Sequence, residues 1–238
     1  MRAGVFLLAL VSLVAARGGV ARADEPLDAD RLGIRARVAI PVAVLSYDGA
    51  PDVAAGGLCL GLGVRGFARF ASRERGLVFE DGLDLSVTGS PFRGVSTGAG
   101  FAWRYGIEVG VRGPRTGVLL GTSVDTMAWA FSGNGGAGFT TAAVPTSLRL
   151  ELRLARDVRA SSTAFVTVLP FGARRYGGEL RIDLHASTKE HYGGGPGLAA
   201  LGFYAHGSDT GGQAYLSGGT RAHASMALGE IGVIESFR

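Results

Sequence analysis

Residues 94–112 read Gly-Val-Ser-Thr-Gly-Ala-Gly-Phe-Ala-Trp-Arg-Tyr-Gly-Ile-Glu-Val-Gly-Val-Arg. The odd positions carry Val95, Thr97, Ala99, Phe101, Trp103, Tyr105, Ile107, Val109 and Val111, and the even ones carry glycines, Ser96, Ala102, Arg104, Glu108 and Arg112. Side chains alternate across a β-strand with period two, so one face of this segment is apolar and the other is small or charged. The run exceeds the usual globular strand of about 3–10 residues. Long strands with this dyad repeat are expected where one face meets lipid and the other a polar lumen.

The same rhythm recurs along the chain. Residues 33–46 set Ile34, Val38, Ile40, Val42 and Val44 against Arg35 and Arg37, and residues 57–70 set Leu58, Leu60, Leu62 and Val64 against Gly61, Gly63, Arg65 and Arg69. Residues 77–88 oppose Leu77, Phe79, Leu83, Leu85 and Val87 to Glu80, Asp84 and Ser86. Residues 116–131 oppose Val118, Leu120 and Val124 to Ser123 and Asp125. In 139–156, Leu148, Leu150, Leu152 and Leu154 interleave with Arg149, Glu151 and Arg153. In 178–188, Leu180, Ile182 and Leu184 interleave with Glu179, Arg181, Asp183 and His185. Residues 160–171 and 196–206 are apolar on both faces. Residues 219–237 switch phase near Gly229, where Ala224, Met226 and Leu228 give way to Ile231 and Val233. A β-bulge at the glycine would explain that switch.

The pattern predicts an all-β protein, a single antiparallel up-and-down β-barrel of about ten strands, with eight or twelve as alternatives. With both termini on one side, Gly113-Pro114-Arg115 and Asp157-Val158-Arg159 are the tight turns of that side. The other side is expected to carry 47–56, 89–93, 132–138, 172–177 and 207–218 as glycine-rich connections.

The first residues read as a processing signal. Arg2, the apolar run Val5–Ala16 and Ala21-Arg22-Ala23 before Asp24 make residues 1–23 a secretory signal peptide. Residues 24–32 follow as a short periplasmic leader and 33–238 as the barrel domain. No later charge-free run approaches the roughly 20 residues that a membrane-spanning helix needs. The 24 Lys+Arg and 20 Asp+Glu of the whole chain become 21 and 20 once Arg2, Arg17 and Arg22 are removed. The basic isoelectric point therefore gives no argument for nucleic acid as a partner. Cys59 is the one cysteine, so an intrachain disulfide is excluded, and its place in Leu58-Cys59-Leu60 predicts a buried inward thiol.

The chemistry of the chain lies in its polar face. Arg104, Glu108, Arg112, Arg149, Glu151, Arg153, Glu179, Arg181 and Asp183 form the candidate lumen ion-pair network, with Arg35, Arg37, Arg65, Arg69 and Asp84 on the same face. Mixed signs at two-residue spacing suit cross-strand pairing, and buried charges are costly unless paired. A paired network predicts a structural plug; an open arginine-lined path predicts a narrow anion route for a small solute. Gly61-Leu-Gly-Val-Arg-Gly66 matches the dinucleotide glycine pattern, but strand residues follow it rather than a helix, so no cofactor is expected. His185, Glu190 and His191 fall short of a tetrahedral ligand set, and no metal is expected.

In its signal sequence, dyad strands and aromatic Phe237 near the C-terminus, the chain resembles the small outer-membrane β-barrel proteins. Ile231, Val233 and Phe237 fit that superfamily's terminal assembly signal, while Glu235 and Arg238 depart from it. The resemblance implies a bacterial outer-membrane location, with outer-membrane lipid and the outer-membrane assembly machinery as partners. His185-Ala-Ser187 and His223-Ala-Ser225 resemble the His-x-Ser of outer-membrane lipid A deacylases, whose His activates a Ser. Thr188 and Met226 stand where that family has Asn. The expected function is non-enzymatic, a structural or narrow-pore barrel. The alternatives are a soluble periplasmic or secreted β-barrel or sandwich binding a small apolar ligand, and a deacylase-like esterase.

Overall fold

In a computed structural model, the described residues are 33–47, 52–70, 76–89, 97–132, 136–155, 157–168, 172–185, 198–216 and 219–237. The signal-peptide and leader segments expected at 1–23 and 24–32 lie outside them, as do Ser187, Glu190 and His191. The strand segments are β1 (Gly33–Tyr47), β2 (Val53–Gly56), β3 (Leu58–Phe70), β4 (Gly76–Gly89), β5 (Thr97–Arg112) and β6 (Thr116–Ser132). They continue with β7 (Ala137–Ala143), β8 (Thr146–Ala155), β9 (Val158–Val166), β10 (Arg175–His185), β11 (Leu198–Leu216) and β12 (Arg221–Phe237).

Two of the junctions are not turns. Strand β1 pairs Val42 with Gly56 of β2 and Ala39 with Cys59 of β3 in one unbroken register. Between them the Gly57 N–H donates to the Pro41 carbonyl at 3.3 Å, and Pro41 has no N–H to return the bond. Likewise β6 pairs Asp125 with Ala143 of β7 and Thr122 with Thr146 of β8 in one register. There the Ser123 N–H donates to the Pro145 carbonyl at 3.1 Å, again without a return bond. Each proline removes one rung without ending a strand, so the twelve segments are ten continuous staves.

The staves form a ring in chain order. Each pairs antiparallel with the next, and β12 closes on β1 from Ile34↔Phe237 to Tyr47↔Ala224. The turn at Gly113, whose N–H donates to the Thr116 carbonyl at 2.8 Å, lies at the end of the barrel that holds Gly33 and Phe237. This is the terminal end; Gly136 and Gly219 lie at the far end. Gly136 and Gly219 adopt φ of 74° and 81° there, which residues with a Cβ rarely tolerate.

Alternation sets the two faces. Outward are Ile40, Leu62, Val87, Val109, Leu120, Leu180 and Ile231, all exposed. Inward are Arg35, Glu80, Arg112, Asp125, Arg149, Glu151 and Asp183, all buried. Leu150 is half-buried between the buried Arg149 and Glu151, which places it on the outer face. A soluble barrel with an apolar interior would require the opposite arrangement.

The far end is narrower. Strands β9 and β10 stop short of it, so β7 pairs directly with β11 from Ala137↔Leu216 to Thr140↔Gln213, and β4 also stops, so Gly56 of β2 meets Thr97 of β5. Residues 172–174 tuck in below that pairing, the Ala173 N–H donating to the Ala142 carbonyl at 2.7 Å. The constricted lumen is filled with apolar side chains: Leu45, Met127, Trp129, Phe131, Phe139 and Met226 pack in one cluster. Glycines on facing strands make room for the rings. A Cβ at Gly100 would lie 2.7 Å from the Trp129 indole, and one at Gly212 would lie 2.6 Å from the Phe139 ring. Large rings covering cross-strand glycines pin the register of a curved sheet.

Two expectations are corrected here. The bulge at Gly229 is absent: β12 pairs with β1 and β11 through Val42↔Gly229 and Gly207↔Gly229 without a shift. Met226 points into the lumen at 0% exposure, because the interior at its level is apolar rather than charged. The apparent change of phase is a change of lumen. Half of the connection expected at 172–177 and most of that at 207–218 are strand, since Arg175–Gly177 belong to β10 and Gly207–Leu216 to β11. Pairing on both sides holds the polar, glycine-rich run of β11 extended in spite of its loop-like composition.

Leu120 pairs with Val109 and Leu148 in the outer band. Leu120→Arg is therefore expected to cost about 2–4 kcal/mol in lipid, the range for a cation near the midplane, while Leu120→Phe is nearly neutral. Urea unfolding in phospholipid vesicles measures both; equal losses would contradict a lipid-facing Leu120.

Candidate functional site

The inward charges near the terminal end gather around two carboxylates. Glu80, on β4, accepts from Arg112 of β5 at 2.7 Å, from Arg149 of β8 and, at 3.4 Å, from Arg65 of β3. Glu151, on β8, receives Arg112 as a fork, Nε and Nη2 at 2.6 and 2.7 Å. Arg149 stands 3.3 Å and Arg159 3.9 Å from the same carboxylate. Arg149 also reaches Glu108 of β5 at 3.0 Å. Register explains the convergence: Gly117 and Gly121 of β6 carry no side chains, so the groups of β5 and β8 meet across β6. Charge-assisted forks of this kind are the strong class of hydrogen bond, and pairing offsets the cost of burial.

A second cluster lies higher in the lumen. Asp125 of β6 receives Arg175 at 2.5 Å and Arg104 at 3.4 Å. The Arg175 guanidinium sits 5.3 Å over the Phe165 ring, which stacks on His206 at 5.6 Å. Nearby, Glu230 of β12 accepts from the Tyr204 hydroxyl and lies 3.5 Å from Arg37. Arg35 faces Asp84 at 3.8 Å.

The nine candidates thus separate. Glu108, Arg112, Arg149 and Glu151 come together around Glu80. Arg104 belongs to the Asp125 cluster. Arg181 and Asp183 pair on their own strand at 2.6 Å, and Glu179 stands 3.9 Å from His206. Arg153 sits at the terminal rim, its Nε donating to the Ala155 carbonyl at 3.3 Å. Arg159 and Arg175 join the clusters from segments that read as connections. The signal that could have found Arg159 is its odd-position alternation with Ser161 and Thr163. Cys59 is buried and free, with an Arg37 nitrogen 4.0 Å from its Sγ. His223 is exposed and Ser225 shares its outer face, but their rung neighbours are Gln213, Gly211 and Ser46, none of them a carboxylate.

A closed antiparallel ring with an apolar outer band and charges inside is the architecture of membrane-spanning β-barrels. No family model matches the chain, and no curated protein matches it. Among solved structures it is similar to the β-domain of the Bordetella autotransporter BrkA, at 14% identity and TM-score 0.38 over 87% of this chain and 99% of that one. It is also similar to the translocator domain of the autotransporter NalP from Neisseria meningitidis, at 12% identity and TM-score 0.36 over 98% and 94%. Neisserial surface protein A aligns at 9% identity and TM-score 0.31 over 85% and 96%.

Glu80 holds the network together, so Glu80→Gln leaves Arg112 and Arg149 short of a buried partner. The expected loss is about 3–5 kcal/mol, read from urea midpoints in vesicles. Arg104→Gln, at a guanidinium held only at 3.4 Å, is expected to shift the midpoint far less.

Proposed function

We propose that this chain is a bacterial outer-membrane β-barrel with a structural role, whose lumen is blind rather than a through pore. The observation that carries the reading is the apolar core at the far end. Leu45, Phe139 and Met226 have no exposure, and Trp129 stacks against Phe131 with ring centroids 6.0 Å apart. A solute moving along the lumen would have to displace these side chains. Below them, cross-linked arginines and carboxylates join β3, β4, β5 and β8 across the interior, which is how a small barrel stiffens without a large apolar core.

The outer face supports this location. An exposed band of aliphatic side chains running around a closed ring has hydrocarbon as its natural solvent. Outer-membrane lipid is then the first partner, and the assembly machinery is the second, reading a terminal strand whose Ile231 faces outward beside the exposed Glu235.

Two measurements test this reading. In planar bilayers the purified protein is expected to show no steady conductance, while Trp129→Ala combined with Phe139→Ala is expected to admit currents; a steady current from the unaltered protein would overturn the blind lumen and favour a narrow pore. In vesicles of brominated lipid, the two tryptophans of the chain are expected to differ. Trp103, on the outer face of β5, is quenched in a Trp129→Phe protein. Trp129, buried inside, is spared in a Trp103→Phe protein. Absence of quenching at Trp103 would contradict the membrane location.

A further inference from the structure

The lumen wall has a hollow on one side. Three consecutive inward rungs cross β1, β3, β4, β5 and β6: Ala39–Cys59–Thr88–Gly100–Trp129, then Arg37–Gly61–Ser86–Ala102–Met127, then Arg35–Gly63–Asp84–Arg104–Asp125. The six central positions of the first two rungs, Cys59, Thr88, Gly100, Gly61, Ser86 and Ala102, are all small. They line one side of the central lumen cavity, about 380 Å³, which also touches β8–β12 and reaches from Arg65 and Arg112 near the terminal end up to Met127, Trp129 and Leu228. That volume lies in the lower range of small-molecule sites, about 300–1,000 Å³.

The arginines beside the hollow are the loosely held ones. The Arg37 and Arg104 side chains keep 29% and 38% exposure, against 8% and 10% for Arg112 and Arg149. Each stands 3.4–3.5 Å from a carboxylate that a closer donor already holds: Glu230 accepts the Tyr204 hydroxyl, and Asp125 is held by Arg175 at 2.5 Å. The Arg37 side chain leans over the small residues, since a Cβ at Gly61 would come 3.0 Å from its Nε. Of the carboxylates that line the cavity, Asp84 is the cross-strand neighbour of Arg104 and faces Arg35 at 3.8 Å, and Asp125 and Glu230 stand beside Arg104 and Arg37. Two guanidiniums with free donors therefore look into a cavity whose inner end is the thioether of Met127 and the indole of Trp129.

We propose that this hollow binds a small amphiphilic carboxylate, its head between Arg37 and Arg104 and its ring or short chain against Met127 and Trp129. Guanidinium forks suit a carboxylate head, and an enclosed apolar end suits a ring rather than a bare inorganic ion. The inference does not depend on whether the barrel conducts, because binding is read in detergent solution.

The test uses a Trp103→Phe protein, in which Trp129 is the remaining indole, titrated with benzoate and with its neutral analogue benzamide. Benzoate is expected to change Trp129 emission saturably, with benzamide at least about tenfold weaker. Arg37→Gln and Arg104→Gln are each expected to weaken benzoate by about tenfold. Ala102→Leu fills the hollow while keeping both charges, and is expected to abolish the response in protein that retains heat-modifiable gel mobility. Equal binding of benzoate and benzamide would overturn the proposal, as would no saturable response up to about 10 mM. Undiminished binding in the arginine variants does the same. Should an arginine variant fail to fold, Ala102→Leu decides: full binding there refutes the hollow as the site.

Discussion

Pairing of β12 with β1 turns a long antiparallel sheet into a ring, and the remaining features of the molecule require that closure. A closed ring has no edge of unpaired N–H and C=O groups, which is the condition for placing strands in hydrocarbon. It also divides every strand into an outer and an inner face, so that each side chain has one of two solvents. Pro41 and Pro145 show how tightly the condition holds. Each deletes a donor in mid-wall, yet the chain keeps its register on both sides and loses only one bond. Strand prolines are ordinarily confined to edges because a central strand needs their missing N–H. In a ring of ten staves the neighbouring rungs are numerous enough to carry the gap.

Closure also creates an interior that must be filled, and the protein fills it in two ways. Toward the terminal end the filling is ionic, built from arginines that share carboxylates: Glu80 and Glu151 each take several guanidiniums, and Arg112 and Arg149 each serve both. Sharing lets each buried charge keep an opposite partner on more than one side, and a guanidinium suits it because its donors lie in a planar fork. Toward the far end β4, β9 and β10 have stopped, the ring is narrower, and aromatic and aliphatic side chains meet across it. Glycines serve both halves. Gly100 and Gly212 leave space for Trp129 and Phe139, and Gly202 leaves space for Asp183. A chain with 40 glycines is thereby reconciled with a well-filled lumen.

The interior remains open from the ionic filling up to the edge of the apolar one. Layers of opposite solvent preference do not interdigitate, and the small residues of β3, β4 and β5 leave the gap on one side. Arg37 and Arg104 face that gap because their carboxylates are engaged by Tyr204 and Arg175. A barrel packed for stability alone would close the gap with a larger side chain at Ala102 or Ser86, so these small residues are the feature that most sets this lumen apart from a plain plug.

Local sequence was enough to determine the wall. Period two in 94–112, the leucines of 148–154 and the aliphatic residues of 34–44 each dictate strand, and they dictate which face is apolar, because alternation is a property of the backbone that no neighbour can change. The ten staves are legible for the same reason. Tertiary structure alone decided the filling. That Glu80 rather than Glu151 gathers Arg65 along with Arg112 and Arg149 follows from register and from glycines on the strand between, and neither is written in the segment that carries Glu80. That the inward Met226 meets an apolar filling rather than charges, and that Gly207–Leu216 runs extended, depends on distant strands that pack around them. Alternation assigns each side chain to a face; what that face touches depends on how many strands remain in the ring at that height.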